Sequence, residues 1–130
     1  MSCRVLMVDD NENDLLFTRI ALQRCGVDYE VQAFERAQEA LDMLSTRPDH
    51  GIDLILLDIN MPVMDGFAFL QAFEALPPAQ RGRAVVVMLS SSSDPADHAR
   101  ASGHASVRGF LSKPLTQNAA AELLQLVRAT

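Results

Sequence analysis

The sequence has 130 residues, of which 48% are hydrophobic and 22% charged, which is the size and composition of one globular domain. Its formal net charge of −6 argues against nucleic acid as a direct partner, because contacts to phosphates require a basic surface. Two cysteines are too few for a disulfide framework, and the first apolar run is too short for a signal peptide or a membrane span. We therefore expect a single cytoplasmic domain over residues 1–130, a monomer or weak dimer that does not bind membranes.

Five short apolar runs are predicted to be β-strands. The first, third and fourth runs are almost continuously apolar, as strands covered on both faces are. The second run alternates and the fifth is short, which indicates edge positions. The five runs are Arg4–Val8, Tyr29–Phe34, Asp53–Leu57, Ala84–Leu89 and Val107–Leu111.

Five further segments are predicted to be helices, because their apolar residues recur every three or four positions. Asp94 is expected to cap the fourth helix, the last is expected to begin near Thr116, and the stretch PPAQRGR is expected to be a surface connection. The alternation predicts βαβ units, a parallel sheet and a (βα)5 domain. The residues expected to face inward are Phe17, Ile20, Ala21, Cys25, Ala37, Ala40, Leu41, Leu44, Phe69, Leu70, Phe73, Leu76, Ala120, Leu123, Leu124 and Val127.

Polar side chains follow four of the predicted strands. Because right-handed crossovers place the carboxyl ends of parallel strands at one edge, we expect these side chains to lie together. They are Asp9 and Asp10 after the first strand, Asp58 after the third, Ser90 after the fourth and Lys113 after the fifth.

This set of side chains is suited to phosphoryl transfer. Three neighbouring carboxylates repel one another, a divalent cation relieves that repulsion, and oxygen ligands suit Mg²⁺. Asp58 would be the nucleophile, while the cation and Lys113 would neutralise the incoming phosphoryl group. Each feature alone has a plainer explanation: acids near a helix N-terminus, a loop aspartate, and a surface lysine.

The motifs VDD, LLDINMPVMDG, LSSS and LSKP occur in this order and resemble the receiver domain of bacterial two-component response regulators over nearly the whole chain. The resemblance implies a flavodoxin-like three-layer α/β sandwich with strand order 2-1-3-4-5. It also implies that Asp58 accepts a phosphoryl group from a sensor histidine kinase or a histidine phosphotransfer protein. Mg²⁺ would be bound by Asp9, Asp10, Asp58 and the backbone carbonyl of Asn60.

The resemblance also assigns roles around the acceptor. Ser90 would follow the phosphoryl group, Lys113 would pair with it, and the bond between Lys113 and Pro114 would be cis. Phe110 stands where many members have a Tyr or Phe that changes rotamer. Without a hydroxyl, this switch would be a packing event alone. Asn60 and Ser92 occupy positions that tune hydrolysis of the phospho-aspartate.

The leading hypothesis is a stand-alone phospho-acceptor switch, which is not a turnover enzyme because it acts on its own Asp58. Thr130 is expected to close the last helix, so no output domain is expected. Output would then pass to an unknown partner that reads the fourth helix, the fifth strand and the fifth helix. His98 and His104 are predicted to be solvated.

The alternative is a Mg²⁺-dependent aspartyl-phosphate hydrolase of the haloacid-dehalogenase type, which also uses a strand-end aspartate. Such enzymes carry a second acid two residues further on, where this chain has Asn60. A flavodoxin-type flavin site would need a phosphate-binding loop after the first strand. The acidic DDNEND stretch at that place would repel a phosphate.

Overall fold

In the computed structural model, described for residues 2–47, 49–91 and 94–128, five parallel strands form one sheet in the order β2-β1-β3-β4-β5. The predicted fold class and strand order are confirmed. The strands are β1 (Cys3–Val8), β2 (Tyr29–Phe34), β3 (Leu54–Asp58), β4 (Val85–Ser90) and β5 (Val107–Ser112). The helices are α1 (Glu12–Arg24), α2 (Ala37–Thr46), α3 (Gly66–Glu74), α4 (Pro78–Arg81), α5 (Pro95–Ser102) and α6 (Gln117–Arg128).

Apolar side chains pack against both faces of the sheet. Because successive residues of a strand point to opposite faces, Leu6 and Val8 join a core with α2, α3 and α5. Val5 and Met7 join a second core with α1 and α6. The result is three layers, with β3 and β4 buried along their whole length and β2 and β5 half-exposed at the edges, as predicted.

The buried face of α1 differs from the predicted one. Phe17 is 58% exposed and Ile20 is only half-buried, whereas Thr18, Ala21 and Leu22 are buried. Both sets have helical spacing, and the prediction chose the set with the bulkier apolar residues. The prediction for Phe17 is therefore wrong.

The other helices follow the sequence closely. All four inward residues predicted for α2 are buried, and Asp94 caps α5 through a hydrogen bond from the backbone N–H of Ala96. The PPAQRGR stretch lies at the surface, as predicted, and contains the single-turn helix α4, which begins with a proline. No helix among the described residues is long and apolar enough to cross a membrane. Thr130, predicted to close the last helix, lies outside the described residues.

The two histidines after β4 have different environments. His98 is exposed, as predicted. His104 is half-buried, and its Nδ1 atom lies 2.6 Å from Oε1 of Glu74 on α3. The prediction for His104 is wrong because the turn after α5 brings its ring against α3.

Candidate functional site

The first acids of the site lie in the tight connection between β1 and α1. The backbone N–H of Asp9 donates to the carbonyl of Phe34 at the end of β2, which fixes this connection to the sheet. Oδ1 of Asp9 accepts a hydrogen bond from the N–H of Asn11, the N-cap of α1. Asp9 is buried, whereas Asp10 is exposed. The connection therefore holds one carboxylate inside the sheet edge and one at its rim.

Asp58 is the last residue of β3 and is buried. Its strand therefore ends one residue later than predicted, because Asp58 still pairs with Leu89 of β4. Helix α3 begins close by, since the N–H of Gly66 donates to the carbonyl of Ile59. A Cβ atom at Gly66 would lie 2.8 Å from Cα of Ile59 and closer still to the carbonyl oxygen of Asp58. Only glycine allows this approach.

The carboxylates of Asp9, Asp10 and Asp58 converge. Each offers an oxygen atom, and these atoms all lie within 4.8 Å of one another. Within the described part of the chain, no other group of three His, Cys, Asp or Glu side chains meets this spacing. The donors are all carboxylate oxygens, two of them buried, which is the chemistry that a hard divalent cation such as Mg²⁺ requires. The residues present therefore fit a magnesium site.

Lys113 brings a positive charge to this cluster from the end of β5. Its Nζ atom lies 2.7 Å from Oδ2 of Asp9, 2.8 Å from Oδ2 of Asp14 and 3.1 Å from Oδ1 of Asp58. The side chain is only 11% exposed. Its backbone N–H donates to the carbonyl of Ser90, which ties the lysine to the end of β4.

Asp58 and Lys113 both have perturbed pKa values. Burial, followed by the negative charge of Asp9, raises the pKa of Asp58 to about 6, and Lys113 offsets only part of this rise. Burial alone would lower the pKa of Lys113, but hydrogen bonds to Asp14 and Asp9 outweigh it and raise that pKa above its ordinary value. At neutral pH the site thus holds an ammonium group beside an ionised but destabilised carboxylate.

The remaining predicted features lie on β4, on β5 and just after β5. Ser90 ends β4 and is fully buried. Phe110 on β5 is half-buried, and its ring centroid lies 4.9 Å from that of His98 on α5. The peptide bond between Lys113 and Pro114 is cis.

Two further residues are predicted to belong to the site. Asn60 is exposed, two positions after Asp58. Ser92, expected to tune hydrolysis, lies outside the described residues.

Sequence reasoning missed Asp14. It is the third residue of α1, where an acid is favoured by the helix dipole whatever its other contacts. The sequence does show an acid one helical turn after the N-cap of α1. It does not show that this acid faces the lysine at the end of the fifth strand. That contact depends on side-chain reach, which spacing does not reveal.

Comparisons with known proteins identify the family of this chain. The protein-family model described as the response regulator receiver domain matches residues 5–127. The two-component response regulator ARR10 of Arabidopsis thaliana is 39% identical over 94 residues, which are 71% of this chain and 15% of that protein. The response regulator ORR1 of Oryza sativa is 32% identical over 117 residues, 86% of this chain and 49% of that protein.

A solved structure gives the same result for the fold. The two-component response regulator from Cytophaga hutchinsonii superposes with a TM-score of 0.89 at 28% identity, covering 100% of this chain and 98% of that one. The aligned part of the chain spans less than half the length of either plant relative. Because the family model covers almost all of the chain, the chain belongs to the response regulator receiver domain family of two-component signalling.

Proposed function

We propose that this domain accepts a phosphoryl group on Asp58 from a phosphohistidine, in the presence of Mg²⁺, and thereby switches a partner-binding surface. The donor would be a sensor histidine kinase or a histidine phosphotransfer protein. The observation that carries the proposal is the meeting of the Asp9, Asp10 and Asp58 carboxylates with the Lys113 ammonium at one edge of the sheet. Phosphoryl transfer needs this combination of a nucleophile, cation ligands and a fixed positive charge.

In the proposed step, a carboxylate oxygen of Asp58 forms a bond to phosphorus while the phosphorus–nitrogen bond of the donor breaks. The imidazole nitrogen keeps the electron pair of that bond and takes up a proton from water. Lys113, 3.1 Å from Oδ1 of Asp58, would pair with the phosphoryl oxygens after transfer. When bound by Asp9, Asp10, Asp58 and the backbone carbonyl of Asn60, Mg²⁺ would supply further neutralisation of the phosphoryl charge.

The switch would involve Ser90 and Phe110. Ser90 ends the strand next to Asp58 and is buried, so a rotation that lets its hydroxyl donate to the phosphoryl group changes packing inside the sheet edge. Phe110 is half-buried and has no hydroxyl, so its response would be a change of packing. Phosphorylation would shift a two-state equilibrium of the surface formed by α5, β5 and α6.

Other parts of this proposal concern the whole protein. Since the chain acts on its own Asp58, it would be a signalling component and not a turnover enzyme. An organisation as a single domain over residues 1–130 remains a prediction, because the plant relatives are longer and the alignments cover only 15% and 49% of them. A cytoplasmic location is supported by the free thiols of Cys3 and Cys25, which suit a reducing compartment.

The experiment is phosphorylation with acetyl phosphate and Mg²⁺, followed by intact-mass measurement. We expect one hydroxylamine-sensitive phosphate per chain, absent from Asp58→Asn and retained in Asp28→Asn, which removes an exposed acid next to the opposite end of the sheet. A phosphate that persists in Asp58→Asn would mean that another residue is the acceptor. Steady release of phosphate from many monoesters would favour the hydrolase alternative.

A further inference from the structure

Lys113 contacts a carboxylate that does not belong to the acid cluster. Its Nζ atom lies 2.8 Å from Oδ2 of Asp14, closer than its 3.1 Å distance to Asp58 and comparable to its 2.7 Å distance to Asp9. An ammonium group has three N–H donors, and these three carboxylates match them in number. Asp14 therefore takes up one of the three donors of the one ammonium group of the site.

The start of α1 leaves Asp14 available for this contact. An acid at the third position of a helix commonly reaches back to the backbone N–H of the N-cap residue. Here the N-cap is Asn11, and its N–H donates to Oδ1 of Asp9 instead. The side chain of Asn11 accepts hydrogen bonds from the N–H groups of Asn13 and Asp14, which fixes the backbone that carries the Asp14 carboxylate.

We propose, on the basis of the function above, that Asp14 is a positioning residue that holds the Lys113 ammonium on the α1 side of the site. Without Asp14, the ammonium would pair only with Asp9 and Asp58, both of them cation ligands in the proposed function. Closer pairing would satisfy those carboxylates and weaken their hold on a divalent cation. Asp14 thus keeps the lysine beside the acceptor while leaving the acid cluster open to Mg²⁺.

A simpler role for Asp14 would be to stabilise the N-terminus of α1 by charge alone. Glu12 provides the matched control, since it lies in the same helical turn and is exposed. Among the described residues, no hydrogen bond or ion pair joins Glu12 to Lys113. Asp14→Asn and Glu12→Gln each remove one first-turn charge, but only the first change weakens a contact of Lys113.

The first test observes the lysine directly. Lys113 is the only lysine of the sequence, so protein labelled with ¹⁵Nζ-lysine gives one side-chain ammonium signal in NMR spectra. In metal-free protein, we expect Asp14→Asn to shift this signal and to speed its hydrogen exchange with water by roughly tenfold, since a charge-assisted hydrogen bond is weakened. Glu12→Gln should leave both unchanged. Equal spectra for the two variants would overturn the inference.

The second test measures Mg²⁺ binding by titration calorimetry. We expect Asp14→Asn to raise the dissociation constant roughly fivefold and Glu12→Gln by less than about twofold. In a Lys113→Ala background, the effect of Asp14→Asn should fall to that of Glu12→Gln, because Asp14 acts through the lysine. An effect that persists undiminished in Lys113→Ala would overturn the inference.

The two proposals fail in different ways. A wild-type protein that binds no Mg²⁺ and accepts no phosphate would refute the proposed function together with this role for Asp14. Normal wild-type binding and phosphorylation, with identical results for Asp14→Asn and Glu12→Gln, would refute the role of Asp14 alone.

Discussion

Oδ1 of Asp58 lies 3.1 Å from Nζ of Lys113, so the end of β3 and the end of β5 are joined across the end of β4. This ion pair does not fully stabilise the Asp58 carboxylate. Burial and the neighbouring Asp9 outweigh the lysine and raise the pKa of Asp58 to about 6. The site therefore keeps a carboxylate whose ionised form is unfavourable in the folded protein, and this has a measurable effect on stability.

We predict that Asp58→Asn stabilises the Mg²⁺-free protein at neutral pH. The folded-state pKa of about 6 lies above the ordinary value of 3.8, so the folded state binds this proton more tightly than the unfolded chain. Ionisation of Asp58 thus destabilises the folded state. The destabilisation is complete above pH 6, decreases between pH 6 and pH 4, and is absent below pH 4. Removing the charge should add roughly 3 kcal/mol above pH 6 and almost nothing below pH 4.

Urea denaturation of both proteins from pH 4 to pH 8 measures this difference. Asp28→Asn, which removes an exposed acid, is the control and should give a difference close to zero throughout. A neutral-pH stability of Asp58→Asn equal to or below that of the wild type would contradict the prediction.

Gly66→Ala should destabilise the fold severely. A methyl group at position 66 would meet the backbone of Asp58 and Ile59, and backbone atoms at the end of a central strand cannot move aside. We expect a loss of at least about 3 kcal/mol in the free energy of unfolding. Gly103→Ala is the control, since the φ of Gly103 is −77° and its nearest contact is 3.4 Å away. Comparable losses for the two variants would refute the steric argument.

Val63→Gly should stabilise the protein. Val63 has a φ of 68°, which is unfavourable for a β-branched residue, and its side chain is fully exposed, so its removal loses no packing. We expect a gain of roughly 1 kcal/mol after allowing for the greater freedom of glycine in the unfolded chain. Thermal and urea denaturation measure it. Val63→Ala keeps most of the strain and should gain less; the reverse order would show that strain is not the cause.

The ring of His98 should report the response of Phe110. The two ring centroids are 4.9 Å apart, so movement of the phenylalanine changes the ring-current shift of the histidine protons. With acetyl phosphate and Mg²⁺, we expect the His98 signals to shift in the wild type but not in Asp58→Asn. The buried His50, held by Ile52 and Gln80, should not change in either protein. An unchanged His98 signal in fully phosphorylated protein would argue against a packing switch at Phe110.

Much of the fold and of the acid cluster could be predicted from the sequence. Buried parallel strands are continuously apolar, and residues just after such strands share one edge, so Asp9, Asp58 and Lys113 could be placed together from chain order alone. The first two strands end where predicted, whereas the other three end one residue later, because Asp58, Ser90 and Ser112 remain in the sheet ladder.

The features that could not be predicted are mostly contacts between side chains that are distant in the sequence. The Asp14–Lys113 contact requires knowing how far a lysine reaches from β5 to α1, and the His104–Glu74 contact requires the path of the turn after α5. Phe17 failed for another reason, since two faces of α1 both carry apolar residues at helical spacing. Spacing gives the period of a helix and leaves its rotation undetermined.

The close approach of Gly66 to β3 makes the two sides of Asp58 unequal. The side toward α3 is fixed, and the side toward β5 is more easily displaced. Toward α3, the segment is fixed by the Gly66–Ile59 hydrogen bond and by the capping of the helix by Asp65. Toward β5, the strand is half-exposed, and its register against β4 is interrupted between Val86 and Val87. A new charge at the acceptor should therefore displace residues toward the edge strand β5, while the segment toward α3 keeps its position.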